Sequence, residues 1–240
     1  MVLSRSNGFA SGLGLDVHIR TTRVNNPHMD YSYISGAAVK IGPDVLEVSE
    51  DGALIVNGDM VVLDDNVGTY FAGYALTKSV KGSKHCIVAH DLNLGSGNSI
   101  QIRANTKTGM LFVDMNGAFA DSEGLLGAAP EEGKPLLARD GITDLTGHWN
   151  TYGEEWQVNA VDFKLFQDIT RHPQYPNGCE YNADVKNHVR RRLMDTDRVT
   201  LEVATDTCAH LKEDTMHEFC VNDIMATGDL DLVEDPFYAN

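Results

Sequence analysis

Cysteine is the residue type with the clearest chemical options in this sequence. The chain has four cysteines, Cys86, Cys179, Cys208 and Cys220. None of their spacings is Cys-x-x-Cys, so the pattern favours neither a structural zinc site nor a thioredoxin-like redox site. The cysteines could form two disulfides, and the sequence leaves all three connectivities open.

Cys208 and Cys220 give the most specific prediction among these pairs. They lie in the segment 197–229, whose pattern is helical, and a bridge between them would join two short helices. Thr207 is a candidate cap for one helix, and Gly228 is expected to end the other. Closing a loop of this size contributes roughly 3 kcal/mol in the chain-entropy model. The alternative is a pair of buried, reduced thiols.

Histidines and carboxylates offer less specific sites. The spacing of His210 and His217 could place both on one face of a helix as metal ligands, but no HExxH arrangement accompanies them, and a surface or satisfied pair of histidines is the favoured alternative. Adjacent carboxylates, such as those at 64–65 and 131–132, are too common in so acidic a chain to identify a glycosidase. The chain also lacks a Gly-x-Ser-x-Gly elbow and a Walker loop. We therefore expect a protein that is not an enzyme.

Two tryptophans could form a binding surface. Trp149 and Trp156 alternate with His148, Tyr152 and the carboxylates at 154–155, which is a pattern suited to an aromatic carbohydrate platform. Burial of at least one tryptophan in the core is the competing interpretation.

The charge of the chain narrows the classes of partner. Its 240 residues carry a formal net charge of −16. Because neutralising phosphates requires a basic surface, nucleic acid is not an expected partner. No stretch approaches the roughly 20 apolar residues of a membrane-spanning helix, and residues 1–8 lack the apolar core of a secretory signal.

The elements that would carry these residues are mostly strands. Short apolar or β-branched runs are separated by glycine, asparagine and aspartate, a pattern typical of an antiparallel β-sandwich or barrel. Asn57-Gly58 predicts a two-residue hairpin that pairs 53–56 with 59–63. The predicted strands are 39–41, 45–48, 53–56, 60–63, 85–89, 99–103 and 110–114.

We expect three regions along the chain. Residues 1–171 form the β domain, 172–196 an exposed basic linker, and 197–240 a small helical segment that carries cysteines. Within the linker, Arg190, Arg191 and Arg192 could be a processing site for a secretory protease, and a solvated charge cluster is the alternative.

Several short motifs resemble those of a von Willebrand factor type D domain. They are Leu15 to Thr21, Gly124-Leu125-Leu126-Gly127, the strand around Trp156, and Cys220 to Asp229. The sequence of these segments is most similar to the cysteine-poor versions of the domain in large surface proteins of unicellular eukaryotes.

This resemblance implies a non-enzymatic structural or adhesion module, extracellular or at a cell surface, that is part of a larger mosaic protein. Its partners would be proteins or glycans of the cell surface or matrix. The residues that it marks as structural are Gly124, Leu125 and Gly127 in the turn, Trp156 in the core, and the pair Cys208 and Cys220. The alternative function is an acidic secreted polysaccharide hydrolase or a carbohydrate-binding module.

The sequence departs from the family pattern at three places. The opening Gly-Asp-Pro-His segment is missing, so the chain is expected to begin inside the domain. Leu126 stands where the turn has a cysteine, which removes one family disulfide. The loop that binds Ca²⁺ in the family has alanines after Gly127, which leaves Glu131, Asp140 and Asp144 as the best side-chain ligands. Solvated loop carboxylates are the alternative for these three residues.

Overall fold

The structure is a computed structural model. It describes residues 1–23, 32–81, 87–106, 108–117, 119, 121–127, 135–159, 164–166, 199–234 and 238. Four predicted site residues, Glu131 and Arg190 to Arg192, lie outside this part of the chain, as do Cys86, Cys179 and the whole of the expected linker 172–196.

Eleven strands in the described residues form one sheet in which every pairing is antiparallel. They are β1 (Val2–Ser6), β2 (Leu15–Arg23), β3 (Ser32–Ile41), β4 (Asp44–Ser49), β5 (Leu54–Val56), β6 (Asp59–Val61), β7 (Gly68–Phe71), β8 (Tyr74–Lys81), β9 (Ile87–Gly95), β10 (Asn98–Asn105) and β11 (Met110–Asn116). The helices are α1 (Phe9–Gly12), α2 (Trp149–Glu155), α3 (Leu201–Cys208) and α4 (Asp214–Thr227), followed by the 3₁₀ helix Leu230–Glu234.

The sheet curls into a half-barrel. Its strand order is β6-β5-β4-β3-β11-β10-β9-β8-β7, and β2 pairs with both β3 and β1. Strand β3 is the branch point, because it pairs with β2 and β4 and meets β11 through the single residue pair Ile34 and Leu111. The predicted fold class, mainly antiparallel β with a small C-terminal helical segment, is confirmed.

The concave face of the sheet holds the main hydrophobic core. Alternate residues of each strand point to this face, as the two-residue period of a strand requires. Its buried members come from both halves of the sheet and include Val17, Val39, Val48, Leu92, Ile100 and Leu111. The inside of the half-barrel is therefore filled by side chains.

The C-terminal helices cover part of the convex face. Met110 and Phe112 of β11 pack there against a second cluster from α3 and α4, which includes Ala204, Val221 and Ile224. The predicted disulfide between Cys208 and Cys220 is present and joins α3 to α4. None of the described helices is long and apolar enough to cross a lipid bilayer.

Candidate functional site

Large apolar side chains are exposed on the two outermost hairpins of the sheet. The exposed fractions are 72% for Met60, 86% for Val62 and 78% for Tyr70, and Val67 is also exposed. We call these four residues the edge surface. Because burial of apolar area favours association between proteins, exposed residues of this kind are candidates for a protein contact.

Tight turns set which side chains of these hairpins face outward. Asn57 and Gly58 connect β5 to β6 with φ of 51° and 91°, and Ala72 and Gly73 connect β7 to β8 with φ of 49° and 83°. Two successive positive φ values define the type I′ turn, whose twist matches that of the strands. The hairpin predicted from Asn57-Gly58 is therefore confirmed, with pairing of Leu54 to Val61.

The register of the hairpins also decides where the backbone groups point. The residues that flank a two-residue turn exchange hydrogen bonds, and the next pair does not. Met60 pairs with Ile55 and Tyr70 with Ala75 at such non-hydrogen-bonded positions. Their backbone N–H and C=O groups consequently point away from the partner strand. In the part of the chain that the structure describes, no strand pairs with these outer edges of β6 and β7.

The segment 62–67, which connects the two hairpins, is acidic and is tied to β8. Lys78 Nζ lies 2.9 Å from Asp65 Oδ1 and donates a hydrogen bond of 3.2 Å to Leu63 O. Asn66 N donates to Lys78 O at 2.8 Å. Asp59 and Asp64 are exposed beside this connection. The edge surface is thus apolar with carboxylates on its border.

A second cluster of charged residues, which no sequence motif indicates, lies on the convex face. Asp16 accepts from Arg5 at 3.1 Å and lies 3.1 Å from His18 Nε2. On neighbouring strands, Arg20 Nη2 lies 3.9 Å from Glu47 Oε1. Strand pairing brings these charged groups together, and local sequence does not show that pairing. The alternation of polar and apolar residues at 16–20 is the only local sign of the cluster.

This charged cluster is suited to a structural role. His18 and Glu47 are buried, and the small residues Gly36 and Ala38 of β3 leave room above the middle strand for the charged side chains. Phe166 covers it, with its ring centroid 4.3 Å from Arg20 Cζ. Buried charges that pair in this way are costly to separate, which favours the observed register of β2, β3 and β4.

The turn at 124–127 docks on strand β1. Leu125 N donates to Val2 O, and Gly127 N donates to Gly124 O at 2.9 Å. A Cβ on Gly124 would lie 2.6 Å from Leu3 O, and its φ is +128°, so this position requires glycine. Leu126 in this turn is half exposed.

Trp156 and Tyr152 hold the other side of this turn. Trp156 is buried and its carbonyl accepts from Val2 N at 2.8 Å, while the Tyr152 hydroxyl donates to Gly124 O at 2.6 Å. Burial raises the pKa of Tyr152 above its ordinary value. The structure therefore brings Trp156 and the turn together. Trp149, in contrast, is 68% exposed, so the two tryptophans do not form one platform.

The candidate calcium ligands Asp140 and Asp144 bind their own loop. Asp140 accepts from the Thr143 hydroxyl and from the backbone N–H groups of Thr143 and Ile142, and these bonds hold its pKa below the ordinary value. Asp144 accepts from Thr146 N, and hydrogen bonds from Thr146 likewise lower its pKa. Within the described ranges, no three or more His, Cys, Asp or Glu residues group as metal ligands would. The calcium site stays a prediction.

The two histidines whose spacing could place them on one helix face lie on different elements. His210 follows α3 in a turn, whereas His217 lies in α4. His210 makes ring contacts with the carbonyls of Thr207 and Tyr238 at 3.2 Å and 3.4 Å. The break between the helices therefore makes the shared-face interpretation wrong.

Comparison with models of known protein families gives no match, and comparison with curated proteins gives none either.

Proposed function

We propose that this chain is a non-enzymatic structural or adhesion module that works at a cell surface or in extracellular matrix as part of a larger mosaic protein. The observation that carries the proposal is the edge surface, where Met60, Val62 and Tyr70 expose most of their side-chain area. A contact that buried these side chains would remove apolar area from water, which favours association.

Two other features support this proposal. The concave face of the sheet is occupied by core side chains, so a partner of this part of the fold would contact its outer surface. The disulfide between Cys208 and Cys220 is compatible with an oxidising compartment. The proposed partners are proteins or glycans that reach the outer surface of the sheet.

The exposed Trp149 favours one second candidate, which is carbohydrate binding. An exposed tryptophan offers an apolar ring for a sugar and a polar N–H at its edge. This site would use Trp149 without Trp156, because Trp156 is buried.

Two measurements, the location of the protein on cells and its activity on polysaccharides, test the proposed function. An antibody against the protein should label intact, non-permeabilised cells that produce it, and the purified protein should release no reducing sugar from a panel of polysaccharides. Label that appears only after permeabilisation would contradict the surface role. Release of sugar that is lost on boiling the protein would support the hydrolase instead.

A further inference from the structure

The outer edge of β7 (Gly68–Phe71) is the strand edge best suited to receive another strand. We propose that β7 accepts an extended, basic segment of a partner protein, which adds to the half-barrel as a further antiparallel or parallel strand. This inference rests on the proposed function, since it names the kind of partner that an adhesion module would hold.

The backbone of β7 supplies the first argument. Tyr70 pairs with Ala75 and Gly68 with Thr77 on the β8 side, both at non-hydrogen-bonded positions. Their N–H and C=O groups therefore point to the outer edge, spaced by two residues as a strand partner requires. β7 is also longer than β6, the strand at the other end of the sheet. Strand addition uses this type of edge.

The side chains of β7 supply the second argument. Tyr70 is 78% exposed, and Gly68 lies two residues before it on the same convex face. A Cβ at Gly68 would meet only Thr77 Cγ2 at 3.6 Å and Leu76 O at 4.0 Å, so the space above this glycine is largely open. An apolar side chain of the added strand could occupy that space and contact the Tyr70 ring.

Charge identifies the partner as basic. Asp64 is exposed in the connection that leads into β7, and Lys78 is paired with Asp65 of the same connection. The whole chain has a formal net charge of −16, so a second copy would be repelled while a lysine-rich or arginine-rich segment would be attracted. The alternation of a strand lets such a segment place its apolar residues on one face and its basic residues on the other.

A designed peptide tests the proposal directly. The probe is a short fluorescent peptide in which lysine and valine alternate, and binding to the intact protein is followed by fluorescence anisotropy. One control peptide replaces lysine by glutamate. A second control carries N-methyl groups on alternate backbone nitrogens, which removes the donors of one edge while keeping charge and side chains. We expect both controls to bind more weakly by about tenfold or more, because one loses attraction and the other loses several hydrogen bonds.

Substitutions in the protein test the same contact from the other side. Tyr70→Pro removes the outward donor and leaves the hydrogen bonds to β8 in place, as proline on an edge strand can. Tyr70→Ala is the matched control for loss of the ring. We expect Tyr70→Pro to bind the lysine peptide about fivefold more weakly than Tyr70→Ala, the loss expected for one net hydrogen bond. Thermal melting of both variants checks that each is folded.

A pair of charge variants completes the test. Asp64→Asn should weaken binding by about twofold and reduce its dependence on salt. Glu202→Gln changes the net charge equally at an exposed position of α3 and should leave binding unchanged. Equal binding of the N-methylated peptide, or equal loss with both charge variants, would overturn strand addition by a basic partner.

Failure of this inference can be separated from failure of the proposed function. Beads coated with the protein report adhesion to cells and matrix without any assumption about the mode of contact. Adhesion without selective binding of the lysine peptide would overturn strand addition alone. Concentration-dependent dimerisation in sedimentation, lost in Tyr70→Pro, would show that a second copy occupies the edge and would also overturn the proposal.

Discussion

His90 is a buried titratable residue that joins two distant parts of the half-barrel. It lies on β9, is 2% exposed, and its Nε2 is 3.0 Å from the carbonyl oxygen of Gly52 in the turn between β4 and β5. Burial is the main cause that lowers the pKa of His90 below its ordinary value of 6.5, and the charge of Lys78 lowers it further. The Gly52 carbonyl and Asp91 act in the opposite direction.

This lowered pKa gives the first prediction. The unfolded chain binds a proton at this histidine more readily than the folded protein, so stability is complete above about pH 6.5 and falls as the pH drops toward the folded-state pKa. Urea unfolding at a series of pH values should show this decline. His90→Gln keeps a donor for Gly52 O and should lose the part of the decline that belongs to His90. Identical pH profiles for both proteins would contradict this role.

The second prediction concerns the effect of a substitution at Gly124 on stability. Gly124→Ala places a Cβ against the Leu3 carbonyl and forces a positive φ, which should cost about 2–3 kcal/mol of unfolding free energy. Gly141→Ala is the matched control, because Gly141 has φ of +69° but nothing within 4 Å of its Cβ position, so only about 1 kcal/mol is expected. Equal losses in urea unfolding would show that the contact with β1 is unimportant.

Among single residues, Gly124 and Trp156 were expected in the turn and the core from the resemblance rather than from a local pattern, and the structure places both in contact with β1. His90 gave no signal, because its position depends on Gly52, which is far away in the sequence.

The C-terminal helix pair is the element whose prediction is most direct to test. The disulfide joins α3 and α4, and both helices pack on Met110 and Phe112. Reduction should lower stability by up to roughly 3 kcal/mol. Hydrogen exchange should show the loosening first in 201–227. A Cys208→Ser, Cys220→Ser variant should show no further change in this segment when reductant is added. If reduction leaves the exchange of α3 and α4 unchanged, the bridge does not stabilise the pair.

The helices also show what the sequence left undetermined at the element scale. Thr200 caps α3, with its hydroxyl accepting from Val203 N, whereas the expected cap Thr207 lies inside the helix. Gly228 ends α4 with φ of +68°, as expected. Phe219 is 49% exposed, whereas Cys220, Val221 and Ile224 of the same helix are buried. The two threonines have similar capping ability, so the sequence alone does not decide which one is the cap. A short amphipathic helix can also rotate about its axis to fit its neighbour, which changes the residues that it buries.

Strands were predicted where the turn chemistry was unambiguous. Asn57-Gly58 gave the β5–β6 hairpin, but β7 and β8 were missed. Their turn uses Ala72, a residue that rarely adopts the positive φ seen here, and β8 contains two lysines and a serine that hide its alternation. The strand edge that carries the further inference therefore became visible only in the structure.

At the scale of the whole molecule, contacts between residues far apart in sequence hold the sheet together. Strand β1 pairs with β2 and also meets the segment at 122–127 through Arg5 and Glu123. The β class follows from strand spacing and turn residues alone. The strand order, the buried charges around Asp16 and Glu47, and the exposed edges follow from pairings that no local pattern encodes.

The central claim is that the edge surface makes the contact by which this protein adheres. The decisive measurement counts protein-coated beads that remain on cells or matrix under flow. Met60→Lys with Tyr70→Lys removes two exposed apolar side chains from the edge surface, and Ile142→Lys with Trp149→Lys removes two from a distant loop and its neighbouring helix. We expect the edge variant to retain about tenfold fewer beads, since central apolar contacts dominate binding energy, and the loop variant to match the unaltered protein. Full retention by the edge variant, or loss in the loop variant alone, would contradict the claim.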